Sequence, residues 1–392
     1  MNDRMSRRSF LSRSAAAAMA GGVCVIRLLG AEAVQGSRPA SGKSTMLLKD
    51  TYRDSFMIGA TLDSEEKLQD LRAVGPEHFN AWTPENALKW HVLRPGEGEF
   101  EFSRADRYCE EASRFGMKAH GHTLVWFQVN PKWVFAGAPY RRRLLERMEE
   151  HIHTVGGHFR GRLHSWDVVN EAVSDEPGQR WRRRDHELYG VPRDPWLAGV
   201  GEDYVEQAFR FAQAACGEAR LYYNEYFTVT PQDRSVSLAK VEKVCRLVRD
   251  LRDKGLRVDG VGIQGHWELG RLNVDDVARM IDRLHQENVI LSVSELDIGV
   301  RGLWGGKKPP MPSLPAGLEL EQALLYAKLF RVLRQHTEAI ERVSFWGVSD
   351  AHTWKTSLHG DDYPMIFDRQ NRPKLAFQAV CDPEGFLREQ GQ

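Results

Sequence analysis

Short apolar, β-branched segments alternate with longer amphipathic segments along most of the chain. In the amphipathic segment 234–254, for example, Val241, Val244 and Val248 recur at helical spacing. The apolar segments have the length of buried strands. Strands are predicted at 56–61, 78–82, 117–125, 163–169, 219–224, 258–264, 289–295 and 343–349. Helices are predicted at 65–73, 103–115, 141–159, 202–215, 234–254, 274–287 and 319–340.

This alternation predicts an α/β fold with one domain, a single (β/α)8 TIM barrel over residues 51–386. An open doubly wound sheet is the alternative. It would favour a glycine-rich phosphate loop after the first strand, and Gly59-Ala60-Thr61-Leu62-Asp63 does not match that pattern. About forty residues follow the last predicted strand, which is too few for a second domain.

The first 33 residues have the pattern of an export signal. Ser6-Arg7-Arg8-Ser9-Phe10-Leu11 fits a twin-arginine motif, a short apolar stretch follows, and Ala31-Glu32-Ala33 offers a cleavage site. An uncleaved anchor and a chance basic N-terminus are the alternatives, and the short apolar stretch disfavours the anchor. We therefore predict a twin-arginine signal peptide at 1–33, a flexible Ser/Gly/Lys-rich segment at 34–50, and a periplasmic or secreted protein.

Composition narrows the possible partners. Lys plus Arg and Asp plus Glu both total 54, so charge gives no reason to expect a nucleic-acid partner. No apolar run of the ~20 residues needed for a membrane span occurs. The cysteines that follow the predicted signal are far apart, which predicts buried free thiols at Cys216 and Cys245 and neither disulfides nor zinc. We expect a monomer without metal or cofactor.

Polar and aromatic side chains gather at the carboxyl ends of the predicted strands, where barrel enzymes place their catalytic residues. Glu171 and Glu295 end strands four and seven and can face each other across the barrel mouth. A protonated and an ionised carboxyl, with indoles to stack on sugar rings, are what glycosidic bond cleavage needs. The neighbouring candidates are Glu85, Asn86, Lys89, His122, Trp126, Asn170, Gln264, His266, Trp346 and Trp354.

Each of these residues alone has a purely structural explanation. A Glu at a strand end is more often an ion-pair partner, Asn170 could cap a helix, and a lone Trp is usually core packing. Their joint placement at successive strand ends favours a functional site.

In their order along the chain, these motifs resemble glycoside hydrolase family 10, whose best-known members are endo-β-1,4-xylanases. The similarity extends from Phe56 to Phe377. It is carried by Thr83-Pro84-Glu85-Asn86, Gly121-His122-Thr123-Leu124-Val125-Trp126, Trp166-Asp167-Val168-Val169-Asn170-Glu171, Tyr223-Asn224, Gln264-Gly265-His266, Glu295-Leu296-Asp297-Ile298, and Trp346-Gly347 with Asp350 and Trp354.

The resemblance implies a retaining mechanism with Glu171 as acid/base and Glu295 as nucleophile. Asn170 would bind the 2-hydroxyl of the sugar, with Gln264 close by. Strand alternation puts Val293, Glu295 and Asp297 on one face, so that an Asp297–His266–Glu295 chain would orient the nucleophile. The resemblance further implies that Glu85, Asn86 and Lys89 bind the glycone and that His122, Trp126, Trp346 and Trp354 wall the sugar.

Two positions depart from the family pattern. Phe127 and Val129 stand where the family usually has His and Gln, which predicts altered recognition of the glycone. Glu225, where Asp is commoner, is a milder change. The sequence thus predicts a secreted retaining endo-β-1,4-xylanase that hydrolyses xylan. The alternatives are a related β-1,4-glycanase or xylo-oligosaccharide-trimming enzyme, and a non-catalytic sugar-binding barrel, which the intact Glu171 and Glu295 disfavour.

Overall fold

A computed structural model of the chain describes residues 46–62, 65–137, 141–182, 187–188, 191–192, 194–227, 234–302, 308–356 and 360–392. The predicted signal peptide, and all of the predicted flexible segment up to residue 45, lie outside the described residues. Residues 48–50 of that segment were predicted wrongly: a short helix, Leu48–Thr51, begins there. Leu48 is fully buried, and burying this apolar side chain fixes the segment against the domain.

Eight parallel strands form a closed barrel, because each strand pairs with the next and the last pairs with the first, as at Met57 and Arg342. The strands are β1 (Met57–Leu62), β2 (Ala81–Pro84), β3 (Lys118–Trp126), β4 (Ser165–Asn170), β5 (Arg220–Glu225), β6 (Gly260–Ile263), β7 (Ile290–Gly299) and β8 (Ile340–Phe345). A further short strand, His266–Glu268, pairs with the end of β7.

Helices follow the strands and cover the barrel. They are α1 (Glu65–His78), α2 (Ser103–Arg114), α3 (Arg141–His158), α4 (Tyr204–Ala215), α5 (Arg234–Asp253), α6 (Val274–His285), α7 (Ala316–Gln335) and α8 (Leu375–Cys381). Shorter helices are Trp90–Leu93, Lys132–Phe135, Pro195–Gly199 and Pro383–Glu389, with a 3₁₀ turn at Asp350–His352. The predicted (β/α)8 barrel is confirmed, and the helix Pro383–Glu389 extends the domain slightly past residue 386.

Boundary errors occur at several elements, and two of the larger ones adjoin at α7 and β8. The helix predicted at 319–340 ends at Gln335, and the strand predicted at 343–349 runs from Ile340 to Phe345. Gly347 has a φ of +153°, a conformation that residues with a Cβ rarely adopt. The chain therefore turns away after Trp346, whose ring lies against His122 in the site, while Val348 packs in the core.

The barrel interior carries buried polar side chains beneath the site. Arg342 donates to Ser292 Oγ at 3.1 Å, and His120 lies 2.7 Å from Ser165 Oγ and 3.0 Å from Asp167. On the opposite face of the barrel wall, next to Phe159, Gly121 leaves room for the Trp166 ring, because a Cβ there would lie 2.2 Å from that ring. The cysteines Cys109, Cys216, Cys245 and Cys381 are buried and free. Within the described residues, no helix has the length and apolarity to cross a membrane.

Candidate active site

Glu295, His266 and Asp297 form a chain of hydrogen bonds, with Glu295 at one end and Asp297 at the other. The two ring nitrogens of His266 lie 3.0 Å from Glu295 Oε2 and 2.9 Å from Asp297 Oδ2. The short strand that begins at His266 pairs with Asp297 and so places the imidazole between the two carboxylates. The structure thus brings together the three residues that the sequence analysis connected.

The three charged side chains of this hydrogen-bond chain are largely buried, and they stabilise one another's charges. Burial opposes ionisation of Glu295, but the hydrogen bond from His266, together with the charges of His122 and His266, outweighs it and lowers the carboxyl's pKa below its usual value. Burial likewise disfavours a charged His266, yet Asp297 and Glu295 raise its pKa to about 10. At neutral pH the imidazolium therefore donates to two carboxylates, which keeps Glu295 ionised and fixed in orientation.

The alternation expected along β7 is interrupted. The pairing of β7 with β8 shifts register between Val293 and Leu296. As a result, neighbouring residues reach the same partner: Ser294 Oγ donates to Asn224 Oδ1 at 2.6 Å, while Asn224 Nδ2 donates to Glu295 Oε1 at 2.7 Å. Glu295 and Asp297 still share His266, and Val293 packs in the hydrophobic core.

Asp297, at the far end of this chain of hydrogen bonds, is held by the segment that follows β8. Trp354 Nε1 donates to Asp297 Oδ2 at 2.8 Å, and Lys355 Nζ lies 2.9 Å from Asp297 Oδ1 and 2.6 Å from Glu268. Lys355 is fully buried. Burial raises the pKa of Asp297, but Lys355 and His266 outweigh it, and the pKa lies below its ordinary value.

Glu171 lies just beyond the end of β4 with an unusual backbone. Its φ is +59°, a left-handed conformation that costs a residue with a Cβ about 1–2 kcal/mol. Its carboxylate accepts from Gln264 Nε2 at 2.8 Å and from Trp126 Nε1 at 3.2 Å. Such strained residues persist where the surroundings hold them, and they concentrate at active sites.

Amide side chains connect the two glutamates. Asn224 Nδ2, which donates to Glu295, also lies 3.0 Å from Asn170 Oδ1. Asn170 Nδ2 donates to Glu171 Oε1 at 3.2 Å, and Gln264 Nε2 contacts Asn170 Oδ1 at 3.3 Å. Glu171 and Glu295 are therefore held by one network of amide donors at the carboxyl ends of β4 to β7.

The remaining sugar-binding candidates surround this network. Lys89, just after β2, is buried, donates to Asn86 Oδ1 at 3.1 Å and lies 4.9 Å from the centre of the Trp126 ring. Glu85 follows the same strand, one residue before Asn86. His122 lies 2.8 Å from Asp167 Oδ2, and its ring meets that of Trp346 edge to face at 5.4 Å.

The departures from the family pattern lie beside Trp126. Phe127 is buried, and the Arg182 guanidinium lies 5.0 Å from its ring centre. Val129 is 44% exposed and has a φ of +49°, which is rare for a β-branched residue. Asp350, by contrast, accepts hydrogen bonds from Lys374 Nζ and the Met365 amide. These contacts connect it to later residues of the segment after β8.

Several residues of the site had no predicted role. Asn224 lay in a recognised motif at a strand end, and that position was a usable signal. Asp167 also lay in a recognised motif, whereas Lys355 acts through carboxylates distant in the sequence and Arg182 through a backbone carbonyl, contacts that no local pattern reveals. Within the described part of the chain, no group of three or more His, Cys, Asp or Glu side chains is arranged to hold a metal ion.

Comparisons with known proteins agree with this geometry. The model of glycosyl hydrolase family 10 matches residues 47–383. A β-1,4-xylanase of Dictyoglomus thermophilum is 37% identical over 345 residues, which are 87% of this chain and 92% of the relative. A xylanase of Paenibacillus barcinonensis, solved with a conduramine derivative, superposes with a TM-score of 0.78 at 32% identity, covering 88% of this chain and 100% of the neighbour.

A further solved structure, a mutant in complex with xylotriose, has a TM-score of 0.77 at 31% identity and covers 86% of this chain and 100% of the neighbour. The family match spans well over half of the described barrel and includes both glutamates. The chain therefore belongs to glycosyl hydrolase family 10 and is a glycoside hydrolase.

Proposed function

We propose that this protein is an exported endo-β-1,4-xylanase that cleaves internal bonds of xylan with retention of configuration. The observation that carries the proposal is the pairing of a buried, ionised Glu295, held by His266, with Glu171 through the amides of Asn170, Asn224 and Gln264. The names of the similar proteins, among them xylanases and a xylotriose complex, support the substrate.

In the first step, the Glu295 carboxylate attacks the anomeric carbon while Glu171 gives its proton to the departing glycosidic oxygen. The bond to the leaving sugar breaks, and a glycosyl ester of Glu295 forms. In the second step, the ionised Glu171 takes a proton from water, whose oxygen attacks the same carbon and releases Glu295. Two inversions at one carbon give overall retention.

The neighbouring side chains assist by binding and orientation. His266 keeps Glu295 ionised before attack, and it can stay hydrogen-bonded to the carbonyl oxygen of the ester afterwards. Asn170, now turned toward Glu171, can donate instead to the 2-hydroxyl of the sugar, a contact that strengthens toward the transition state. Trp126, Trp346, Trp354 and His122 wall the sugar, and Glu85, Asn86 and Lys89 bind the glycone.

The assignment is tested by hydrolysis of glucuronoxylan, xylohexaose and carboxymethyl-cellulose by the wild type, Glu295→Ala and Glu171→Ala. We expect rapid internal cleavage of xylan by the wild type. Glu295→Ala should lose turnover and retain oligosaccharide binding. Unchanged hydrolysis by Glu295→Ala would contradict its role as nucleophile.

A second candidate, an enzyme that trims xylo-oligosaccharides or another β-1,4-glycan, is favoured by Val129 and Phe127. Activity on short oligosaccharides without cleavage of polymeric xylan would support this candidate over the first. A non-catalytic sugar-binding barrel would show binding without hydrolysis of any of these substrates.

Export through a twin-arginine route is proposed from residues 1–33. The test is fractionation of cells that express the full chain, with Arg7→Lys/Arg8→Lys as the variant. We expect the wild type outside the cytoplasm, beginning after Ala33, and the variant retained inside. Equal export of both proteins would contradict this route.

A further inference from the structure

A buried cluster of charged and aromatic side chains surrounds the backbone of Glu171, apart from the side chains that wall the sugar. Its central member is Arg182, which is only 7% exposed. Arg182 Nε donates to the carbonyl oxygen of Glu171. The other members are Phe127, Asp175, Tyr223, Glu225, Tyr226 and Lys240.

The cluster binds the polar backbone groups of the turn that follows β4. The Tyr223 hydroxyl accepts from the amides of Ala172 and Val173 at 3.0 Å each and donates to Glu225 at 2.6 Å. On the other side, the Glu171 amide donates to the Asn224 carbonyl at 2.9 Å. With Arg182 on its carbonyl, Glu171 is held on both sides in its left-handed conformation.

Arg182 is itself fixed by contacts that leave its guanidinium little freedom. Its guanidinium lies 5.0 Å from the ring centre of Phe127 and 5.1 Å from that of Tyr226. Its Nη2 lies 3.6 Å from Glu225 Oε1, and Lys240 Nζ lies 3.0 Å from the same oxygen. Phe127, a departure from the family pattern, thus supplies one face of the slot that holds Arg182.

We infer that Arg182 is a positioning residue for Glu171: it fixes the backbone from which the proposed acid/base carboxyl reaches the glycosidic oxygen. The inference rests on the proposed function of Glu171. Arg182 hydrogen-bonds the carbonyl of Glu171 rather than its carboxylate, with which it interacts through its charge alone, so the hydrogen bond acts through the placement of the acid. A misplacement of about 1 Å can cost on the order of 100-fold in rate.

The dependence on the leaving group distinguishes this role from a general structural one. A sugar leaving group needs a proton to depart, whereas 2,4-dinitrophenolate departs without one. A misplaced acid therefore slows the first step for xylohexaose and spares it for 2,4-dinitrophenyl β-xylobioside. Lower global stability, or a disturbed sugar pocket, would lower kcat/KM for both substrates alike.

The experiment compares Arg182→Met with Arg180→Met, a matched control two residues away. Arg180 pairs with Asp250 at 2.6 Å and lies over Trp181, without contact to Glu171. We expect Arg182→Met to lower kcat/KM for xylohexaose by ~10–100-fold, a part of the ~10²–10⁴-fold worth of general acid catalysis. For the dinitrophenyl substrate kcat/KM should change less than ~3-fold, and Arg180→Met should match the wild type with both.

Arg182→Lys provides a second variant that keeps the charge in the cluster and loses the planar donor geometry. It should show the same selective loss, which keeps the test informative if Arg182→Met does not fold. Glu171→Ala serves as the reference for complete loss of the acid. If Glu171→Ala shows the leaving-group dependence and both Arg182 variants do not, the inference about Arg182 is overturned. If Glu171→Ala lacks that dependence, the proposed function of Glu171 fails first.

Discussion

His266 is the residue whose removal most directly changes the charge state of the nucleophile. Its hydrogen bond lowers the pKa of Glu295. We expect His266→Gln to raise that pKa, so the acid limb of kcat/KM should move to higher pH by ~1 unit, a shift of the size that one lost ionic hydrogen bond causes. The measurement is the pH profile of kcat/KM on xylohexaose.

His164→Gln is the control for this profile. His164 immediately precedes β4, at the opposite end of the barrel, and lies 3.0 Å from Glu341. The acid limb of kcat/KM for His164→Gln should coincide with that of the wild type. An unmoved acid limb in His266→Gln would show that His266 does not set the ionisation of Glu295.

Val129 is the residue at which recognition of the glycone can be tested. The resemblance places an amide there, and the exposed valine offers none. We expect Val129→Gln to raise kcat/KM on xylotriose by ~3–10-fold, the worth of one neutral hydrogen bond. Val129→Met is the control, because it also removes the β-branch from the left-handed position and has no amide. Equal kcat/KM values for the two variants would mean that the glycone pocket is built differently.

At the residue scale, the sequence predicts the groups that meet the sugar better than those that support them. Glu295, His266 and Asp297 sit in short motifs at strand ends, so their contact was predictable. Arg182 binds a backbone carbonyl, and Lys355 pairs with carboxylates 58 and 87 positions away. The contacts of Lys355 form only when the barrel closes, and the contact of Arg182 depends on the geometry of the loop after β4, so no local pattern reveals either.

The segment after β8 supports the site through one buried cation. Lys355 lies between Asp297 and Glu268, and burial raises the pKa of Glu268 despite its nearness to Lys355. We expect Lys355→Met to lower the free energy of unfolding by about 3–5 kcal/mol, because it removes the buried cation beside Glu268 and leaves Asp297 with His266 as its remaining charged partner. Urea denaturation at neutral pH measures the change.

Lys254→Met is the matched control, since Lys254 pairs with Glu206 at the surface and is 53% exposed. This change should cost less than ~1 kcal/mol. A loss of the same small size in Lys355→Met would contradict a structural role for the buried cation.

At the element scale, strand and helix identities were predictable and some ends were not. The pattern of apolar positions located all eight strands, since each must bury its side chains. It does not show where a strand leaves the sheet. Gly347 turns the chain after β8, and the register shift in β7 lets Ser294 and Glu295 reach one asparagine. Both are properties of pairing between strands rather than of either strand alone.

The stability of the whole molecule should depend on pH through the same imidazole. The folded-state pKa of His266 is about 10, above its ordinary value near 6.5. The contribution of protonated His266 to the free energy of unfolding is therefore complete below about pH 6.5, and it is lost as the pH rises toward 10. We expect the difference in free energy of unfolding between the wild type and His266→Gln to shrink over that window. A constant difference from pH 6 to 10 would contradict an imidazolium in the folded state.

At the scale of the whole chain, the repeated alternation of strands and helices was enough to predict a closed barrel, because short parallel strands with covering helices have few other arrangements. The polar and aromatic residues at the carboxyl ends of the strands then located the site. The sequence could not supply the distances within it, which depend on closure, or the slot that Phe127 and Tyr226 form for Arg182.

The most direct test of the account is to trap the covalent intermediate on Glu295. A 2,4-dinitrophenyl 2-deoxy-2-fluoro-β-xylobioside retains a good leaving group, while the fluorine slows hydrolysis of the ester, so the intermediate accumulates. Mass spectrometry of the digested protein should then show one glycosyl adduct, on the peptide that contains Glu295, and none in Glu295→Ala. An adduct on another residue, or no adduct together with release of the α-anomer from xylan in ¹H NMR, would contradict the account.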